Sequence, residues 1–348
     1  VTQLSLDRLG SLAQLVLTWQ GPVSAVVYIK PHSRLKHQIF THRSIIENEF
    51  RLSTLNNHCE HNSSSPIAFL YDDYCAQLGQ LSAQLTPELT YFVDIHLVFF
   101  NFTRYPVNVL RNFGIDQSRS ALVFSVDVDF VSSMHLHSQL IQNYFSPSTA
   151  VHYQTRRFTS TQQRRVFVVP SFSSELCVND PRLPKDKQSL FTLYNANPPL
   201  VNASNLNVCR KCHGPTDYQR YFELGPGAAP YRVQYHWIYE PYIIFDKTQK
   251  AFPLYDENLK GYGFDKNTHI FHLALLDYEF YVLPDTFIIH IQHEEASWDG
   301  PSHQDQQWDA LQIVCHLIPY LKETLGFSPY KSVFDEPTPT QCYSNHHW

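Results

Sequence analysis

The chain has 348 residues, 43% apolar and 14% aromatic, a composition that can bury a sizeable core and that disordered chains lack. Its formal net charge of −6 gives no electrostatic reason to expect nucleic acid or an anionic membrane as a partner. No apolar run approaches the roughly 20 residues that span a bilayer.

In chain order, residues 1–3 read as a strand, and Ser5 caps a helix with Leu6, Leu9, Leu12, Leu15, Val16 and Trp19 at helical spacing. Gly21-Pro22 ends that helix, and Val23–Ile29 reads as a second strand. Such a β-α-β start favours a right-handed crossover and a parallel sheet. Residues 31–88 are mixed, with a helix expected over 42–57 and an exposed loop at HNSSSP, 61–66. Thr90–Phe100 is expected as a strand, and Tyr105–Ser118 as a loop followed by a short helix. Ala121–Val126 is a short run of β-branched and aromatic residues, expected as a buried strand that ends in Asp127-Val128-Asp129.

Beyond it a helix is expected over 132–144, a polar loop over 146–163 and a strand over Arg165–Val169. Residues 180–228, dense in Pro, Asn and Gly, read as largely loop and as a substrate-facing surface rather than a linker. Strands over Tyr231–Trp237, Pro241–Phe245 and Asp285–His290 follow. A last amphipathic helix carries Leu311, Val314, Cys315, Ile318, Leu321 and Leu325, with a kink expected at Pro319 and a stop at Gly326. The expected architecture is one α/β domain over 1–326, a Rossmann-like mixed sheet with an antiparallel extension, and an irregular tail over 327–348.

Strand alternation puts Asp127 and Asp129 on one side at the carboxyl end of their strand. Two carboxylates there repel unless a cation lies between them, and hard oxygen ligands suit Mn²⁺ or Mg²⁺ completed by substrate phosphates. Taken alone, an Asp-x-Asp triplet is more often a polar strand end or a turn. Its neighbours decide.

Seven cysteines, at 59, 75, 177, 209, 212, 315 and 342, allow disulfides plus one free thiol, with the pairing unreadable from sequence. Cys209-Arg-Lys-Cys212-His213 has haem-attachment spacing, but no axial-ligand architecture accompanies it, and a disulfide or chance explains it better. The chain opens with no signal-peptide pattern, whereas Asn62, Asn101 and Asn202 each begin a glycosylation sequon. The expectation is a secretory-pathway protein whose N-terminal targeting segment lies outside this sequence.

TQLSLDRL at the start, Tyr105-Pro-Val-Asn-Val-Leu-Arg-Asn112 and Asp127-Val-Asp-Phe130 resemble the Golgi glucuronyltransferases of glycosyltransferase family 49, which includes the C-terminal domain of LARGE. His213-Gly-Pro-Thr-Asp-Tyr218, Pro230-Tyr-Arg-Val233, Tyr239-Glu-Pro-Tyr242, Gly261-Tyr-Gly-Phe-Asp-Lys266 and Phe287-Ile-Ile-His290 look like its later motifs in the same order. The resemblance runs from residue 1 to about 326 and implies a GT-A fold with an Asp-x-Asp metal site, a UDP-sugar donor, Mn²⁺ and inversion at the anomeric carbon. It also implies a glycan acceptor with a terminal xylose or similar sugar, the Golgi lumen as location, an N-terminal membrane anchor and a homodimer.

By resemblance, Asp127, Asp129 and His290 would hold the metal, His290 being preferred over its neighbour His293. Asn108 and Arg111, three apart on one helix face, would hold the uridine or diphosphate, the alternative being a helix cap and a solvated charge. Inverting transfer needs a base for the acceptor hydroxyl, and Asp265 and Glu240 both remain candidates. Lys266 would pair with a glucuronate carboxylate, and Asp217 and Tyr218 would line the acceptor site. Fold and metal motif do not separate glucuronate from other UDP-sugars, and a catalytically silent sugar-binding protein is the alternative of a different class.

Overall fold

The computed structural model describes residues 1–29, 46–62, 68–99, 104–146, 164–177, 180–204, 209–260, 263–293 and 302–325. Its first sheet contains β1 (Thr2–Ser5), β2 (Val23–Ile29), β3 (Ile46–Arg51) and β4 (Val93–Phe99) in the order β1-β2-β4-β3. β1, β2 and β4 run parallel and β3 pairs antiparallel at the edge. β2 is apolar but for Ser24, as suits a strand buried on both faces. Val23, Ala25, Val27 and Ile29 pack toward the helix Leu9–Trp19, whereas Val26 and Tyr28 pack toward Val107 and Leu110 of the helix Val107–Gln117.

The second sheet holds β5 (Leu122–Phe124), β7 (Arg165–Val169), β10 (Tyr231–Val233), β11 (Tyr242–Asp246) and β12 (Glu279–Val282), ordered β10-β12-β7-β11-β5. The third holds β6 (Phe130–Ser132), β8 (Ser171–Ser174), β9 (Val201–Ala203) and β13 (Ile288–Ile291), ordered β6-β13-β8-β9. Several connections cross between these sheets, and two of them matter for the site. β7 passes into β8 through Pro170, which has no N–H to pair, and β5 passes into β6 through Asp127-Val128-Asp129. The N–H of Val126 donates to the Val1 carbonyl at 3.1 Å, which ties the first sheet to that crossing. The aspartate triplet therefore sits where all three sheets approach.

Several expectations change. The segment 46–51 is not helical: it is β3, because Phe50 enters the core opposite Ile95 and sheet pairing outweighs local preference. Helix returns as a 3-10 turn over Leu52–Thr54 and an α-helix over Leu55–Asn62, and residues 42–45 of the expected helix and most of the 61–66 loop lie outside the described residues. The aspartate strand stops at Phe124, and a turn carries Val128 and Asp129, so Asp127 and Asp129 do not share a strand face. The helix over 132–144 is shorter, a helix over Leu136–Leu140 and a wider turn over Ile141–Phe145. Residues 180–228 contain the helices Lys187–Tyr194, Arg210–His213 and Tyr218–Glu223 besides β9. The first of these is fixed by a capping box between Asp186 and Ser189. At Pro319 the expected bend takes the form of a wide π-type turn over Ile313–Leu317, between the helices His303–Gln312 and Ile318–Leu325. The 146–163 loop, from 147 on, and the tail lie outside the described residues.

Cys59 pairs with Cys75 and Cys209 with Cys212, and among the described residues Cys177 is a free, exposed thiol.

Gly114 sets how closely the helix Val107–Gln117 lies on the first sheet. A Cβ there would stand 2.7 Å from a methyl of Val1 and 2.8 Å from one of Val26. Substituting Gly114→Ala overpacks this contact and is expected to cost about 1–3 kcal/mol, read as a lower urea midpoint with unchanged slope.

Candidate active site

The helix Val107–Gln117 carries three buried polar side chains, Asn108, Arg111 and Asn112. Asn112 exchanges two 2.9 Å hydrogen bonds with the backbone of Tyr255, and the Asn108 amide donates to the Asp256 carbonyl at 2.7 Å. These bonds staple the 255–256 segment to the helix. The Arg111 guanidinium lies beside the Tyr255 ring, 5.2 Å from its centroid, and donates to Asn108 Oδ1 at 3.3 Å. Its remaining reach is toward acids. It donates to Asp127 Oδ1 at 2.8 Å and to Asp265, the first residue of the helix Asp265–Leu275.

Asp127 Oδ2 receives the Tyr242 hydroxyl at 2.8 Å and the Lys266 ammonium at 2.9 Å, and Lys266 also donates to the Tyr242 oxygen at 2.7 Å. Both oxygens of Asp127 are thus engaged. Burial opposes its ionisation, but Lys266 and Arg111 outweigh burial and hold the carboxyl well below the usual carboxylate range. Burial likewise disfavours the Lys266 charge, which Asp127 more than restores.

Asp129 faces the other way. β13 pairs His290 with Phe130, and the N–H of Ile291 donates to the Asp129 carbonyl at 3.2 Å. His290 Nε2 and His293 Nε2 lie 3.3 Å and 3.0 Å from Asp129 Oδ2. The ligand atoms of all three residues lie within 4.8 Å of one another, and Asp129 Oδ1 is enclosed with no hydrogen-bond partner among the described residues. Burial would raise the Asp129 carboxyl, but the two imidazoles bring it down to about 2. A carboxylate with one orphaned oxygen and two converging imidazoles is a donor set that fits a divalent transition ion.

Glu240 precedes β11, and its N–H donates to the Cys212 carbonyl at 2.7 Å. Its carboxylate makes no hydrogen bond or ion pair among the described residues. Burial raises its pKa, Lys266 and Arg111 oppose that rise, and Asp265 and Asp127 add to it. This is the pattern of a carboxyl held ready to accept a proton.

A family model described as "Glycosyl-transferase for dystroglycan" matches residues 1–312. The chain belongs to that glycosyltransferase family. It is 36% identical over 351 residues to the Glycosyltransferase-like protein gnt14 of Dictyostelium discoideum, an alignment covering all of this chain and 45% of that protein. It is 30% identical over 293 residues to the Xylosyl- and glucuronyltransferase LARGE2 of Rattus norvegicus, covering 84% of this chain and 34% of the relative. The chain spans less than half the length of either relative. A crystal structure of GalNAc-T7 with UDP, GalNAc and Mn2+ covers 92% of this chain and 51% of that one at 10% identity and a TM-score of 0.40, a likeness too slight to argue from.

In this glycosyltransferase-family chain the expected site residues divide. Arg111, Asp127, Asp265 and Lys266 form one buried charge network, with Asp129, His290 and His293 adjoining it through the Asp127–Asp129 turn. Asn108 is fully enclosed with both ends of its amide engaged, so it orients Arg111 and offers no free group to a ligand. Asp217 is exposed and caps the helix Tyr218–Glu223 by accepting from the Arg220 N–H. Tyr218 is buried and donates to the Ser171 carbonyl at 2.7 Å, which makes it core rather than a lining of open surface. Tyr242 and Tyr255 belong to the network and carried no chemical signal in sequence beyond the Tyr239–Tyr242 motif. A cavity of about 570 Å³ lined by Trp19, Phe92, Phe124, Ile141 and Phe145 contains none of the site residues.

Replacing Arg111 by Met leaves Asp127 and Asp265 buried without their shared cation. The expected loss is about 3–5 kcal/mol in urea unfolding, as for one partner removed from a buried pair. Because the folded Asp127 carboxyl lies below its unfolded value, its stabilisation is complete above about pH 4 and fades as pH falls further. Wild-type stability should therefore drop steeply in acid, and Asp127→Asn should flatten that drop.

Proposed function

We propose that this chain is the catalytic domain of a GT-A, divalent-metal-dependent inverting glycosyltransferase that moves glucuronic acid from UDP-glucuronate to a xylose-type acceptor. The observation that carries the reading is the placement of a Glu240 carboxylate, without a hydrogen bond or ion pair among the described residues, beside the Asp127 network, with the Asp129–His290–His293 group at the adjoining turn. Asp129, His290 and His293 would hold Mn²⁺, whose charge when bound stabilises the departing UDP. Asp127 orients Lys266 and Arg111 rather than spending its oxygens on the metal. Lys266 has three N–H donors and uses two on Asp127 and Tyr242, which leaves one for the glucuronate carboxylate.

Glu240 removes the proton from the acceptor hydroxyl as that oxygen attacks C1 of the donor sugar. The bond between C1 and the β-phosphate oxygen breaks on the opposite side, and its electron pair leaves with UDP. Asp265 is the weaker candidate for this role because its carboxylate is committed to Arg111. The reading carries with it a lumenal secretory location, an anchor outside this sequence and a dimer, all expected from the resemblance. The exposed Asn202 sequon is compatible with that compartment.

UDP release from a panel of UDP-sugars, with Mn²⁺ or EDTA and with or without a xyloside, tests the donor and the metal together. Metal-dependent release from UDP-glucuronate alone, enhanced by the xyloside, is expected; turnover of a different donor would overturn the substrate assignment. Glu240→Gln should lower kcat by about 10²–10⁴-fold, and Asp265→Asn should leave a base limb in the pH profile. That limb should fall on the acid side with an apparent pKa above the ordinary glutamate value of about 4.3, because the base works only when ionised. Wild-type turnover by Glu240→Gln would refute the base assignment.

A further inference from the structure

Three features outside the network lie close in the chain to Glu240 or to Lys266. Trp237 is 37% exposed and meets Phe271 of the helix Asp265–Leu275 at 5.1 Å and 89°, edge to face rather than stacked. A large aromatic surface is thereby left open to solvent. Asn267 lies on the same helix four residues before Phe271, so the two share a face, and it directly follows Lys266. Asn267 is only 8% exposed, yet its Oδ1 is buried with no hydrogen-bond partner among the described residues. A buried orphaned acceptor of this kind calls for a donor that the described residues do not supply.

The third feature is the backbone between Trp237 and Glu240. The N–H of Tyr239 donates to the His236 carbonyl at 3.0 Å, which closes a turn with Trp237 and Ile238 at its centre. Ile238 has φ 64°, the left-handed region that glycine or asparagine takes readily and a β-branched residue takes only under strain. Beyond the turn Tyr239 is fully buried, its hydroxyl 3.0 Å from that of Thr216, and Glu240 follows. The strained turn thus fixes the exposed indole relative to the carboxylate. Strain of this sort persists where function requires a geometry.

We propose that Trp237 and Asn267 form an acceptor-glycan subsite next to Glu240. The C–H face of a pyranose ring packs on the indole, and a sugar hydroxyl donates to Asn267 Oδ1. Glu240 is at most about 11 Å of chain from Trp237, so a glycan whose terminal hydroxyl reaches Glu240 continues over the indole. The exposed Gln234 and His236 precede Trp237 and extend the polar edge of the same surface. The proposal rests on the transferase reading above for its acceptor and deepens it: the subsite selects a glycan longer than one sugar.

The test compares wild type with Trp237→Ala, Trp237→Phe and Asn267→Ala, using UDP-glucuronate, Mn²⁺ and either methyl β-xyloside or methyl β-xylobioside. Retained UDP affinity by calorimetry establishes that each variant is folded. Trp237→Ala should raise the KM for the disaccharide about five- to tenfold, the worth of one sugar ring packed on an indole, with a smaller rise for the monosaccharide. Trp237→Phe should recover most of that deficit, and Asn267→Ala should raise the acceptor KM more than it lowers kcat. An unchanged disaccharide KM in Trp237→Ala overturns the subsite while leaving the transferase reading intact. If wild type turns over no donor, the transferase reading fails by itself, and saturation-transfer NMR with methyl β-xylobioside decides the subsite. A transfer signal present with wild type and absent with Trp237→Ala upholds it; equal signals from both proteins refute it.

Discussion

The Asp127 carboxylate is where the helix Val107–Gln117, β11 and the helix Asp265–Leu275 are joined, through Arg111, Tyr242 and Lys266. Two cations, Arg111 and Lys266, and two carboxylates, Asp127 and Asp265, cancel in formal charge, and the network is tolerable inside the protein only because each charge is bonded. Such a cluster adds little net stability compared with an apolar core of the same size. Its value is geometric, because removing any member leaves its partner buried and uncompensated. The position of Glu240 relative to the Asp129 group depends on this junction.

Asp127 and Asp129 therefore divide the labour that an Asp-x-Asp motif suggests they share. The turn between β5 and β6 sends Asp127 to the cations and Asp129 to the two histidines. The split has a local cause. A strand running through Asp129 would put both carboxylates on one side, but β5 belongs to the second sheet and β6 to the third. The chain must turn to change sheets, and it turns at these residues.

Much of the scaffold was legible in the sequence. β2 and β7 follow from short, mostly apolar, β-branched runs, and the parallel β1-β2 pair follows from the strand-helix-strand order. What escaped depends on distant partners. β3 is polar enough to pass for helix until Phe50 is placed against Ile95, and the short helices after 187 are held by aromatic packing around Phe172 and Phe222. At the site, the Asp129–His290 pair was anticipated from motif order, and the structure adds His293 at 3.0 Å. The Arg111–Asp265 pair, 154 residues apart in sequence, could not be read from spacing. Nor could the engagement of Tyr218 with the Ser171 carbonyl, which turns an expected site residue into core.

The central claim is that Asp129 with the two histidines, and not Asp127, binds the metal. Electron paramagnetic resonance of Mn²⁺ titrated into the UDP-bound protein tests it most directly, comparing wild type with Asp129→Asn, His293→Gln and Asp127→Asn. Loss of bound Mn²⁺ is expected in the first two variants, and its retention in any Asp127→Asn protein that remains folded. Full Mn²⁺ binding by Asp129→Asn, or its loss from folded Asp127→Asn alone, would contradict the account.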